Sequence, residues 1–534
     1  MEQKTLIAIT LTLLVLIAFN FPAKKSGPVY SVKEDYLVRK DSEQSIQPNF
    51  ATPDKIREKL EEKTISEDVQ TIENKEVKIY LTNIGGSIKS IEINQHSLVM
   101  PVKGLFNIVG YSSLDFDLKD ADNEIAAYEF RDNEVAIQKT YDISSNDDTI
   151  KTEIVIENIS NQTISKEFSL INFSLDTSEL DGKLDSPRDY NLFEYSYSIN
   201  HMIERKGNAY KFSPKDNLQR QGFVDWVGFR DRYFCIVIKP EYTTTGLTTF
   251  VTGEKSINIM SQGQKIDLHP KEKAIFRLIS YVGPQDTNRL KSYNKGFEEI
   301  FVFSKFSALD FIGKSVVRAM NFVHGFIPNW GVCVILIGLL VNGALYPLTL
   351  SSMKSMKKMQ LIQPEMAKLR EQYKNNPQRL NKEMMVLYKE HGVNPLGGCL
   401  PMILQMPIFI SVYQAMWRNV SLKGANFLWI TDLSRPDHLF KLPFKFPIGN
   451  VEYFNILPII IMALMFIQQK LTSKNMVVTD PNQAAQQRMM QVFLPLFIGM
   501  IFYKFSSGLA LYFTTFYLFS IATQIKMSKI TVMK

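Results

Sequence analysis

The sequence predicts a membrane protein with an N-terminal anchor helix, a five-helix core and a large all-β sandwich outside the membrane. Three observations carry this. Charge is split: residues 21–300 hold 36 Lys/Arg against 44 Asp/Glu and the remainder 25 against 10, so the overall +7 describes neither part. Long apolar runs lie at the N-terminus and again after residue 329. Between them apolar residues alternate with period two, the pattern of half-buried strands. An acidic domain outside and basic loops inside follow the positive-inside rule. A uniformly basic nucleic-acid binder would show no such split, and specific DNA binding is not expected.

The first apolar run, Thr5 to Phe21, follows Lys4, and the Pro22-Ala23-Lys24-Lys25 after it offers no small-x-small cleavage site. Residues 1–21 are therefore expected to be an uncleaved anchor. Residues 22–75 are polar and without period, as in a tether. From 76 to 305 the sandwich is expected. Val77, Ile79 and Leu81 alternate with polar residues ahead of Gly85-Gly86, as do Ile150, Thr152, Ile154 and Ile156, and Phe234 to Ile238 is a continuous apolar run, as in a strand buried on both faces. Its histidines, His96, His201 and His269, stand in no motif with a carboxylate, so no catalysis is expected there. The three cysteines, Cys235, Cys333 and Cys399, build neither a disulfide framework nor a zinc site. No metal and no cofactor are expected.

Residues 306–329 turn helical, with Ile312, Val316, Ala319, Met320 and Val323 on one face, and are expected to lie in the outer interface. The Gly313-Lys314-Ser315 within this stretch lacks the glycine and preceding strand of a phosphate-binding loop. The core, 330–525, has expected spans at about 330–350, 399–417, 454–469, 490–505 and 509–525. Several fall short of the ~20 residues that cross a typical bilayer, which suits a thinned one. Residues 351–392 carry nine Lys/Arg against four Glu and are expected in the cytoplasm. Counting spans from there places both termini and the basic tail, 526–534, in the cytoplasm and residues 22–329 outside. Asn375-Asn376-Pro377 divides 351–392 into a helical hairpin. Its methionines, among them Met353, Met356, Met359, Met384 and Met385, either form an adaptable surface for apolar partners or hold the hairpin together; spacing leaves both open.

Asn329-Trp330-Gly331, Leu345-Tyr346-Pro347-Leu348-Thr349, Gln363-Pro364, Val393-Asn394-Pro395-Leu396-Gly397-Gly398-Cys399-Leu400-Pro401 and Gln405-Met406-Pro407-Ile408-Phe409 occur in this order. Ile456-Leu457-Pro458, Phe493-Leu494-Pro495 and Ser507-Gly508-Leu509 follow. Together they resemble the YidC/Oxa/Albino membrane protein insertase family, in its Gram-negative form with a large periplasmic domain. The resemblance implies a bacterial inner-membrane insertase and chaperone, not an enzyme. Its core would enclose a hydrophilic groove open to cytoplasm and lipid. It further implies nascent membrane proteins as clients, with the ribosome, the Sec translocon and membrane lipid as partners. The family's groove arginine corresponds to Asn342 here, so the groove is expected to be polar but to lack that fixed charge. Gln405 and Tyr512 are the other expected groove residues, although Gln405 could instead bond another helix and Tyr512 simply pack. Lys504, beside the Ser506-Ser507-Gly508 turn, is expected to snorkel to the outer interface. The hairpin methionines are expected to capture clients, and Lys526, Lys529 and Lys534 to contact the ribosome. A transporter of solutes or lipids could use the same groove, but no paired ionisable residues lie deep in the spans.

Overall fold

The computed structural model describes residues 66–532 except 97, 146, 181–191, 208, 210, 263–264, 393–399, 447–450 and 474–480. The anchor and residues 22–65 of the tether lie outside the described residues. The last part of the expected tether is not a tether: Val69–Glu73 is a strand paired antiparallel with Val77–Thr82, and Ile72 is buried. The Asn74 side chain closes this hairpin by accepting from the backbone N–H groups of Glu76 and Val77.

The β-domain is built from antiparallel pairs. The largest sheet has nine strands in the spatial order Met202–Gly207, Glu194–Ile199, Val224–Arg230, Phe234–Pro240, Lys273–Pro284, Thr149–Asn158, Val135–Asp142, Ile125–Arg131 and Asp117–Ala121. Smaller sheets of four and five strands share one buried apolar cluster with it, which makes the sandwich. Val77, Ile79 and Leu81 point into that cluster, as do Ile150, Ile154 and Ile156. Phe234–Pro240 is buried on both faces: Phe234, Ile236 and Ile238 enter the sandwich core, while Cys235 and Val237 enter a second cluster. That second cluster joins the back of the nine-stranded sheet to the helices, which is why the run Phe234 to Ile238 is apolar throughout.

The Gly85-Gly86 turn connects Val77–Thr82 to Ser87–Ile93, with both glycines at positive φ (70° and 51°). A Cβ on Gly85 would stand 2.3 Å from Asn107 Oδ1, so only glycine fits. Its tight approach is used from beneath. Lys139, fully buried on Val135–Asp142, donates from Nζ to Gly85 O (2.7 Å) and Phe106 O (2.8 Å), and Tyr141 donates to Gly86 O (2.7 Å).

Helices α1 (Thr287–Ser292), α2 (Ser307–His324), α3 (Trp330–Leu361), α4 (Gln363–Gln372), α5 (Pro377–Glu390), α6 (Leu400–Trp417), α7 (Ile456–Ser473), α8 (Pro481–Phe502) and α9 (Ser507–Val532) make up the rest, with a β-hairpin, Phe440–Phe446 and Val451–Phe454, between α6 and α7. α9 packs against α3 and α7, α7 against α8, and α2 against α6 and α3. Gly313 lets α2 sit on Phe303, whose ring a Cβ would meet at 2.9 Å, so its Gly-Lys-Ser belongs to a packing face. By length and apolarity, two stretches among the described residues are long enough to cross a membrane, Trp330–Pro347 and Ser507–Lys526; Ile456–Thr472 and Gln491–Phe502 are apolar but shorter.

Two boundaries differ from expectation. α3 has 32 residues, about 48 Å at 1.5 Å per residue, and runs without a break from the expected span into the hairpin. No glycine or capping residue follows Leu350 to stop it, so the hairpin's first arm is anchored rigidly. α9 likewise continues through Lys526 and Lys529 to Val532, making most of the expected tail helical.

Candidate functional site

The seam between α3 and α9 is built from residues spaced about one helical turn apart. Gly338, Asn342 and Tyr346 line α3; Tyr512, Thr515 and Phe519 line α9. A Cβ on Gly338 would lie 3.1 Å from Thr515 Cγ2 and 3.5 Å from Tyr512 Cδ2, so the glycine brings the helices together. One turn on, the Tyr346 and Phe519 rings meet edge to face at 6.3 Å. Asn342 is only 6% exposed and donates from Nδ2 to Gly338 O at 2.6 Å. Thr515 is similarly satisfied within its own helix, donating to Leu511 O at 2.9 Å.

Tyr512 is 2% exposed, and its hydroxyl is buried without a hydrogen-bond partner among the described residues. Such a group is costly in an apolar surrounding and is normally matched by a polar neighbour or water. Gln405 is half-buried on α6, one turn before Phe409, whose ring contacts Phe513 of α9 at 5.1 Å. Gly338 thus both accepts from Asn342 and lies against Tyr512, while Gln405 is one turn from the α6 residue that touches α9. Two polar rungs join α9 to α7: Gln468 Nε2 to Ser520 Oγ at 2.7 Å, and Gln524 Nε2 to Thr472 Oγ1 at 2.8 Å. Sequence reading missed these; polar residues recurring within an apolar run were the available signal.

In the hairpin, Ile362 and Leu387 are buried with Met359, Met366, Leu369 and Tyr388 packed around them. Met359 therefore helps hold the arms together, while Met385 is 56% exposed and Met353 and Met384 are half-buried. The Met356 side chain lies outside the described residues, as do that of Lys529 and all of Lys534; Lys526 is exposed. Lys504 is exposed in the turn between α8 and α9.

A second constellation, which the sequence pattern does not reveal, ties the β-domain to the ends of the helices that face it. Glu194 is paired with Arg230 (3.0 Å to Nε, 3.1 Å to Nη2) and Arg205 (3.2 Å). Arg230 and Arg418, just past the end of α6, both donate to Val302 O at 3.0 Å. Burial and the adjacent Arg230 push the Arg418 guanidinium down to about 9. Burial opposes charge on Glu194 too, but Arg230, Arg205 and Arg418 overcome it and hold the carboxyl below its usual range. Close by, Arg232 donates to Trp417 O (2.8 Å) and Ser434 O (3.3 Å), satisfying carbonyls at the end of α6 and in the loop beyond.

The fold brings a carboxylate to one of the β-domain's histidines: His201 Nδ1 lies 3.0 Å from Asp225. The carboxylate also accepts from Ser198 Oγ (2.8 Å) and His201 N (2.7 Å). Asn200 and His201 both have positive φ, so Asp225 secures a tight hairpin turn, and the serine bonds the carboxylate where a catalytic serine would bond the histidine. Among the described residues no cluster of His, Cys, Asp or Glu could hold a metal ion.

A helical membrane part with a large β-domain fastened to one end defines the class: a multi-helix membrane protein with an extramembrane sandwich. The family described as 60Kd inner membrane protein matches residues 322–534, and the YidC periplasmic domain matches residues 111–316. The chain is 30% identical to the membrane protein insertase YidC of Geotalea daltonii over 570 residues, 99% of each chain. It is 28% identical to that of Chlorobium limicola, covering 98% of this chain and 93% of the relative. A crystal structure of active YidC insertase with its first transmembrane domain resolved matches at 18% identity and a TM-score of 0.37, over 86% of this chain and 92% of that one. This chain belongs to the membrane protein insertase YidC family, inner membrane proteins with a periplasmic domain.

Proposed function

We propose that the chain inserts nascent membrane proteins by offering their polar flanks the polar seam of α3, α6 and α9 while their apolar segments pass to lipid, and that it also chaperones their folding. The observation that carries this is the Asn342–Gly338–Tyr512 seam, where polar groups, one of them unmatched, sit inside otherwise apolar helices. Burying ~20 apolar residues is favourable in itself, and the barrier is the polar flank crossing hydrocarbon. In this reading six spans place both termini and the hairpin in the cytoplasm, the exposed Met385 face meets clients, and no enzymatic activity is involved. The ribosome docks through Lys526, Lys529 and Lys534, with the Sec translocon as a partner for part of the client set.

Depleting the protein and following radiolabelled short membrane proteins tests the reading, because a solute or lipid transporter would leave their insertion intact. The sharper test is Asn342→Leu. Its Nδ2 partner, Gly338 O, lies on the same helix four residues back, so the helix survives the change while the seam loses a polar group. Insertion of a short single-span client is expected to slow by about fivefold, the equivalent of ~1 kcal/mol, and further in the double variant with Gln405→Leu. Normal insertion by the double variant would refute the seam's role.

Deleting residues 363–390 with a short Gly/Ser bridge should leave an integrated protein that no longer crosslinks to nascent chains; loss from the membrane would make the hairpin structural. Neutralising Lys526, Lys529 and Lys534 should weaken ribosome affinity most at low salt and flatten its dependence on salt. Unchanged association across salt would remove the tail from the proposal.

A further inference from the structure

α2 presents three faces. Gly313, Val316 and Met320 are buried against the protein, and Phe311 and Phe322 are 70% and 69% exposed on the opposite side. At roughly 100° per residue, Arg318 falls beside this aromatic stripe, with Lys314 and Asn321 next around the helix. The basic edge therefore lies between the aromatic stripe and the β-domain. There a shallow cleft, open to solvent, is lined by Asp286, Thr287 and Asn288 at the start of α1 and by Lys314, Val317, Arg318 and Asn321.

The polar groups of the cleft are unevenly matched. Lys314 Nζ is 2.9 Å from Asp310 Oδ2, while Asp310 Oδ1 accepts from Phe303 N at 2.7 Å. Arg318 has no carboxylate partner among the described residues. Asn321 Oδ1 is buried without a hydrogen-bond partner among them. On the far wall, Asp286 Oδ1 accepts from Asn288 N (2.7 Å) and Arg289 N (3.2 Å), which leaves its other oxygen available. Two cationic groups, Arg318 and the Asp310-paired Lys314, thus adjoin the apolar stripe; an amide oxygen without a partner among the described residues lies farther round the helix, with the Asp286 carboxylate across the cleft.

We propose that this cleft holds the headgroup of an aminophospholipid of the outer leaflet, its phosphate on Lys314 and Arg318, its ammonium toward Asp286 and Asn321, and its acyl chains along Phe311 and Phe322. A phosphate and an amine one short spacer apart match the order of charges, and the aromatic stripe supplies the apolar surface that a free anion would not need. This rests on the reading that α2 lies in the outer interface.

The test uses the full-length protein in detergent micelles, with bound phosphatidylethanolamine counted by native mass spectrometry. The protein should retain one such lipid, and Lys314→Gln with Arg318→Gln should weaken retention at least about tenfold. Val317→Trp, which fills the cleft and keeps both charges, should do the same, so the result does not depend on the charge variant's folding. Millimolar inorganic phosphate should not displace the lipid; displacement would show a free-anion site and overturn the proposal, as would unchanged retention by both variants. A spin label at Phe322→Cys separates the two readings. A label accessible to lipid-soluble oxygen together with unchanged retention refutes the lipid site alone, whereas a label exposed only to water refutes the interfacial placement of α2 and the site with it.

Discussion

Glu194→Gln is expected to destabilise the full-length chain by about 3 to 5 kcal/mol, because it removes the one carboxylate among three guanidiniums that burial keeps from water. Arg230, Arg205 and Arg418 would then face one another with only carbonyl oxygens to accept from them, including Val302 O, which Arg230 and Arg418 share. The loss should be coupled to Arg418. The double change Glu194→Gln with Arg418→Met should be milder than the sum of the single changes, since the second relieves the repulsion left by the first. Thermal unfolding in detergent reads the stability, and protease cutting between residues 286 and 306 reads whether the β-domain has come loose from the helices. A Glu194→Gln protein that melts and resists protease like the parent would show that the cluster contributes nothing to the junction.

Lys139 gives the second large effect, a pH dependence. Burial in the sandwich core lowers its ammonium to about 7, and its contacts are two carbonyls and the Phe116 ring at 5.0 Å, with no carboxylate partner among the described residues. In the unfolded chain the group returns to about 10.4. Between these values the unfolded state holds a proton that the folded state has released, so stability rises with pH. Below about 7 both states are protonated and the burial penalty is felt in full. From pH 7 to 9 the gain is expected to be about 2 kcal/mol. Denaturant midpoints measured across this range in the parent and in Lys139→Met isolate the contribution, because every other group is common to both. Equal slopes would mean that the lysine is not desolvated as its surroundings require.

These two groups also show where sequence reading stops. Lys139 falls on the face that Val135, Ile137 and Tyr141 turn inward, so the alternation of its strand aims it at the core, where a lysine is ordinarily excluded. What the strand pattern does not show is what receives it: Gly85 and Phe106, more than 30 residues away in sequence, present the carbonyls to which the ammonium donates. His201 is a milder case: no motif placed a carboxylate near it, since Asp225 reaches it from the neighbouring strand of the sheet.

What the sequence by itself determined was whatever depends on period and order. Alternation over Val77 to Leu81 and Ile150 to Ile156 specified strands with one buried face, and the unbroken apolar run Phe234 to Ile238 specified a strand covered on both, because burial imposes the same period on the side chains that it imposes on the backbone. The ordered motifs of the membrane part likewise specified the family. Only the tertiary structure decided which distant residues meet: Arg418 with Arg230 across Val302, Arg232 with the end of α6, and Gly338 with Tyr512 and Thr515. Such pairs leave no period, because each contact joins elements far apart in the chain, and its geometry is set by how whole sheets and helices pack.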